Sequence, residues 1–164
     1  MKVAPVDRKE FWERLRKGEK LCCPMCDRTT AAWRRSVSLS DLRALNLLRQ
    51  LDDRNPDEFV HLSHATTAAK IDAGNVTTLM RHWGLIEAKN PHPETEKDLD
   101  GGYYRITPGG RRFLKGEIDI PKYMYSYQGE VWGFSDGDCD FDDGLDEWIT
   151  IGQVRHFDLS EVLA

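Results

Sequence analysis

No apolar run in this chain approaches the roughly 20 residues that a membrane-crossing helix needs. The N-terminus, with Asp7, Glu10 and Glu13 soon after Lys2, lacks the pattern of a secretory signal. Both absences predict a cytosolic protein. Cysteine is scarce too: four residues in 164, three of them clustered at Cys22, Cys23 and Cys26. In a cytosolic chain that usage favours a metal site or plain thiols over a disulfide framework. There is no nucleophile elbow, phosphate loop or paired-carboxylate motif, and the five histidines are scattered. The sequence therefore argues against an enzyme. Internal repeats and low-complexity segments are missing as well.

What remains suits a soluble domain with an appendage: 164 residues, 40% hydrophobic, net charge −5. That charge is unevenly placed. Residues 1–116 hold 21 of the 23 Lys and Arg against 16 acids, whereas residues 117–164 hold 12 acids against Lys122 and Arg155. A basic body permits phosphate contacts, and the acidic end repels a polyanion or serves another purpose.

Helical spacing of Phe11, Trp12 and Leu15 predicts a short amphipathic helix over 6–16, with Asp7 as its cap and Gly18 as its end. The segment 31–35 reads as strand or helical turn. Leu42, Leu45, Leu48 and Leu51 make the stripe of a core helix that Ser40 caps and Asn55-Pro56 stops. Phe59 to Leu62 fits a small strand, after which Ser63 or Thr66 opens a helix that Gly74 breaks. A further helix over 75–83 buries Val76, Leu79, Met80 and Trp83, and Gly84 supplies the left-handed exit into a strand at Leu85-Ile86. Helix, glycine, helix is a helix-turn-helix pattern. Residues 88–102 read as a long hairpin tip, Tyr103 to Thr107 as the returning strand, and Thr107-Pro108 as the cap of a last short helix. Short strands follow over 122–127, 130–135 and 139–142, with Asp136-Gly137 as the stronger hairpin signal, and a further strand-like run over 148–154.

A helix that enters the major groove needs short hydrogen-bonding side chains on its outer face. Asn75, Thr77, Thr78, Arg81 and His82 supply them, with Arg81 the best reader because guanidinium bonds guanine bidentately. In the hairpin tip Lys89 and Lys97 are cationic, but Glu94, Glu96, Asp98 and Asp100 cancel them. The order Leu-Met-Arg-His-Trp-Gly-Leu-Ile-Glu followed by Tyr-Arg-Ile-Thr-Pro-Gly-Gly-Arg-Arg-Phe resembles the winged helices of multiple-antibiotic-resistance-type bacterial regulators, over less than a third of the chain. Taken whole, with Cys-Pro-Met-Cys early and Gly-Gly-Tyr-Tyr-Arg-Ile-Thr late, the chain is similar to small uncharacterised proteins of tailed bacteriophages. The first resemblance implies duplex DNA binding in transcriptional or replicative control; the second implies a phage origin, hence a host cytoplasm, and names no activity.

Cys23-Pro-Met-Cys26 has the two-residue spacing of a zinc knuckle, which is half of a tetrahedral site. His61 and His64 are the expected completing pair, with Cys22, Cys139, His82 and Asp27 as substitutes and free thiols as the alternative. Asp136, Asp138, Asp140, Asp142 and Glu147 match places in a calcium loop, but Phe141 stands where that loop needs glycine. The acids fit the wet face of a hairpin better, or a surface for a host protein. The expectation is an α+β chain in three parts: an N-terminal helix and Cys-Pro-x-Cys knuckle segment (1–38), a winged helix-turn-helix core (39–116) and a small acidic antiparallel β appendage (117–164). A protein-interaction module acting through the acidic appendage is the alternative function.

Overall fold

The computed structural model describes residues 8–17, 19–22, 29–30, 33–72, 77–127, 130–137 and 146–154. The chain is α+β and divides into two compact units. Met1–Ser36 and Pro121–Trp148 make one unit; Val37–Ile120 and Ile149–Ala164 make the other. The expected third segment is thus divided: Pro121–Trp148 shares a unit with the first segment, because a strand near residue 34 pairs with strands beyond residue 120, and Ile149–Ala164 belongs to the unit of the expected core.

In the first unit, α1 (Arg8–Arg16) buries Phe11 and Leu15, one helical turn apart. Its expected ends, Asp7 and Gly18, lie outside the described residues. Strands β1 (Leu21–Cys22) and β2 (Thr29–Thr30) pair antiparallel. The ambiguous segment after Ala31 resolves as strand β3 (Trp33–Arg35), which pairs with β7 (Met124–Tyr127); β7 pairs in turn with β8 (Glu130–Phe134). The 139–142 strand expected from sequence lies outside the described residues.

The second unit begins with α2 (Leu39–Arg54). Ser38 rather than Ser40 caps it, because Ser38 and Asp41 are spaced to satisfy each other: the Ser38 hydroxyl accepts from Asp41 N–H, and Asp41 Oδ2 accepts from Ser38 N–H at 2.8 Å. Leu42, Leu45 and Leu48 are buried, and Asn55 ends the helix before Pro56. Strand β4 (Val60–His61) follows, then α3 (Leu62–Ala68), whose cap is His61 and not Ser63 or Thr66. A 3-10 helix (Thr77–Trp83) leads through Gly84, at φ 71°, into β5 (Ile86–Ala88). A long connection reaches β6 (Tyr103–Ile106), and Thr107 caps α4 (Pro108–Leu114). The sheet order is β4-β6-β5, all antiparallel. Leu42, Leu45, Met80, Leu85, Tyr104, Ile106 and Phe113 form its core with Ile149 and Ile151. Among the described residues, no helix is long and apolar enough to cross a membrane.

Candidate functional site

The segment expected as an α-helix is wound as a 3-10 helix over its described part, and this changes which side chains face out. A three-residue turn aligns Thr77, Met80 and Trp83. Thr77 and Met80 are buried, and Leu79, expected in the core, is only half-buried. Thr77 therefore does not face outward as the sequence reading required; its hydroxyl donates to Asp41 Oδ1 at 2.9 Å. Asn75 lies outside the described residues, whereas Thr78, Arg81 and His82 stay partly exposed.

Arg81 bridges the helix to the 89–102 connection. Its Nε donates to the Thr95 carbonyl at 3.0 Å and its Nη1 to the Thr78 carbonyl at 2.6 Å. It forms no ion pair among the described residues, although burial pushes its pKa below the ordinary arginine value. Arg105 differs, with Nε 2.6 Å from Glu87, and so does Arg111, which grips Asp52 and Asp53. Burial, and then Arg81 beside it, lowers the His82 imidazole to about 4, so His82 is neutral at pH 7.

The 89–102 connection is an ordered hairpin built on two acceptors. Asp98 is buried and takes the N–H groups of Asn90 at 2.9 Å and of Gly102 and Tyr103 at 2.8 Å each. His92 Nδ1 takes the N–H groups of Glu94 and Thr95 at the tip. Glu96 then adopts φ 57°, a left-handed backbone uncommon for a residue with a side chain. Sequence reasoning took Asp98 and Glu96 only as charges that cancel lysines. The signal for Asp98 was its place ahead of Gly101-Gly102, where the backbone turns sharply enough to aim several N–H groups at one carboxylate. Lys89 and Lys97 are exposed, and the Lys89 ammonium lies 5.4 Å from the Tyr103 ring centroid.

Of the expected zinc ligands, Cys23 and Cys26 lie outside the described residues. His61 and His64 are together, with ring centroids 3.8 Å apart and stacked at 26°. His61 Nδ1 accepts from His64 N–H, which leaves Nε2 as its ligating atom. Nearly parallel rings direct their in-plane lone pairs side by side, so closing both on one ion requires a ring rotation. Among the described residues no three His, Cys, Asp or Glu side chains gather as a metal site. Of the acidic segment, Asp138, Asp140 and Asp142 lie outside the described residues, while Glu147 reaches Lys122 at 3.5 Å. No family model, characterised protein or solved structure matches this chain significantly.

Proposed function

We propose that Val37–Ile120 is a winged helix that binds duplex DNA, with the 77–83 helix and the hairpin of residues 89–102 as its reading elements. The order α2, β4, α3, 3-10 helix, β5, hairpin, β6 supports this reading, as does a sheet with the returning strand in its centre. One observation carries it: Arg81 is fixed by two main-chain carbonyls, one on its own helix and one on the hairpin, and among the described residues no carboxylate is in ion-pair contact with it, Glu96 acting on it only through space. A guanidinium held by carbonyls keeps its charge for a phosphate or a guanine, whereas one paired with a carboxylate does not. Thr78, Lys89 and Lys97 are the accessible partners of Arg81, Asn75 joins them as a proposal from sequence, and neutral His82 offers hydrogen bonds only. Thr77 has no part in contacts.

Fluorescence anisotropy of the full chain on random-sequence duplexes, over a range of salt concentrations, tests this. Three cations on phosphates give a log–log slope of about −3. Arg81→Gln should weaken the best-bound sequence by about tenfold, corresponding to the loss of a 1–3 kcal/mol contact. No duplex binding at low salt would remove the proposal. That result favours the second reading, a phage-type module that binds a host protein through its acidic C-terminal segment, which the surplus of acids over Lys122 and Arg155 in residues 117–164 supports. Zinc at Cys23 and Cys26, with His61 and His64, belongs to either reading. It is tested by metal content of protein purified without added zinc, with a stoichiometric ion expected and a trace amount overturning it.

A further inference from the structure

A cavity of about 280 Å³ opens between the 3-10 helix and the hairpin, walled by Arg81, Gly84, Ile86, Ala88, Pro91 and Glu96. Its size is at the small end of ligand sites, which run from roughly 300 Å³ upward, so it suits a single planar ring system. The edges of paired bases do not protrude into a cavity, so the proposed duplex binding shares only Arg81 with this one and leaves the rest of its wall unused.

The walls differ in chemistry. Arg81 spends one N–H of Nε and one of Nη1 on carbonyls, and its remaining N–H groups are available as donors. Glu96 is an acceptor that acts electrostatically on Arg81 across the cavity without ion-pair contact among the described residues. Its placement is enforced: its N–H donates to the His92 carbonyl at 2.9 Å, and its backbone is left-handed at φ 57°. A non-glycine residue held in that region commonly marks a site where position outweighs strain. The other carboxylate on the cavity, Glu87, is already engaged by Arg105. Ile86 and Ala88 belong to the core and close the floor of the cavity with little accessible surface, and the exposed Pro91 adds a rigid ring.

We propose that this cavity binds a guanine base. Guanine alone among the common bases sets two acceptors, O6 and N7, on one edge, and two adjacent N–H donors, N1 and N2, on the next. The first edge faces Arg81 and the second faces Glu96, with the ring against Pro91 and strand β5. Adenine and the pyrimidines lack the paired donors; cytosine sets two acceptors, N3 and O2, side by side, but has no pair of N–H donors next to them. The base is an unpaired one, carried by a free nucleotide or by an overhanging or extruded position of a nucleic acid. This site goes beyond duplex binding and stands without it.

Calorimetric titration of the full chain with guanosine, adenosine, cytidine and uridine monophosphates tests the proposal. A parallel titration uses a duplex with a one-nucleotide guanine or adenine overhang. The guanine ligand should bind at least tenfold tighter than its adenine counterpart in one arm or both; the arm that responds identifies the source. Glu96→Gln should remove the preference, Arg81→Gln should weaken binding tenfold or more, and Glu94→Gln, a change at the hairpin tip outside the cavity, should do neither. Circular dichroism should show all three variants folded. Equal affinity for the four bases, absence of binding in both arms, or a folded Glu96→Gln that keeps the preference would overturn the site. A blunt duplex that fails to bind while guanosine monophosphate binds would defeat only the duplex reading.

Discussion

Thr77 Oγ1 donates to Asp41 Oδ1 at 2.9 Å, joining the 3-10 helix to the capping box of α2. Asp41 Oδ2 meanwhile accepts from Ser38, so one buried carboxylate serves a helix start and a distant hydroxyl together. Replacing Asp41 by Ala should cost about 2–3 kcal/mol, from the lost cap and a stranded hydroxyl. Thr77→Val should cost about 1–2 kcal/mol, because it strands one carboxylate oxygen. Urea unfolding of the double variant should fall short of the sum of the two by about 1 kcal/mol; strict additivity would show that the contact couples nothing.

Asp98 makes the hairpin sensitive to acid. Burial alone pushes its carboxyl up, and the N–H groups of Tyr103, Asn90, Gly102 and Asp100 together outweigh that, leaving it below the ordinary carboxylate range. A carboxyl lowered on folding contributes stability that is complete above its unfolded value, near about pH 4, and is lost as pH falls through the lower folded value. Amide exchange in residues 90–103, taken relative to the intrinsic rate at each pH, should therefore stay slow at neutral pH and quicken below about pH 4. Asp98→Asn should quicken it at neutral pH by about tenfold or more, since an amide nitrogen cannot accept the N–H groups it faces. Unchanged exchange in that variant would mean the hairpin is held by something else.

Much of the second unit could be read from spacing. The leucine stripe of α2, Gly84 as a left-handed exit and Thr107-Pro108 as a helix start are local signals, and each sits where local physics puts it. The burial of Thr77 was not legible. It depends on three-residue winding and on a partner 36 positions away, neither of which a 3.6-residue pattern contains. Ser38 over Ser40 was within reach, because only Ser38 has an acid three residues on. Arg81 stands out in the sequence as the arginine of the helix, but its anchorage to Thr95 depends on a hairpin fold set by Asp98 and His92, and composition shows these only as charge. Pairing of β3 with β7 is a contact of high sequence separation, invisible to local pattern.

The Pro-Gly-Gly turn has a requirement at its second glycine. A Cβ at Gly110 would collide with the Leu85 carbonyl oxygen and lie 2.8 Å from Ile106 Cγ1, whereas at Gly109 the nearest atom, the Gly84 carbonyl oxygen, is 3.2 Å away. Helix α4 starts against the Gly84–Leu85 backbone, and Leu85 O also accepts from Thr107 N–H, so the backbone there has little freedom to retreat. Gly110→Ala should cost about 3 kcal/mol or more, as forced overpacking against backbone does, and Gly109→Ala clearly less. Thermal unfolding of the two variants side by side would decide it, and equal melting points would contradict the packing described.

His82 supplies a pH dependence of its own at milder acidity. The folded imidazole titrates at about 4, against an ordinary value of 6.5, because burial and then Arg81 disfavour its charge. Between those values the unfolded chain binds the proton and the folded chain does not. Stability is therefore complete above about pH 6.5 and declines as pH falls toward 4. Each unit is worth about 1.4 kcal/mol, and the side chain's partial access to water reduces the whole to about 1–2 kcal/mol. His82→Gln should flatten the stability profile over that window while leaving the steeper loss below pH 4 that belongs to Asp98. Urea midpoints at pH 7, 5.5 and 4.5 separate the two groups. If the variant declined in parallel with the parent chain, His82 would be excluded as the titrating side chain. Under the proposed duplex binding, His82 gains no proton until about pH 4, so affinity should show no rise between pH 7 and 5.5 from this residue. A rise there that His82→Gln abolishes would show that bound phosphate draws the imidazole into its charged form.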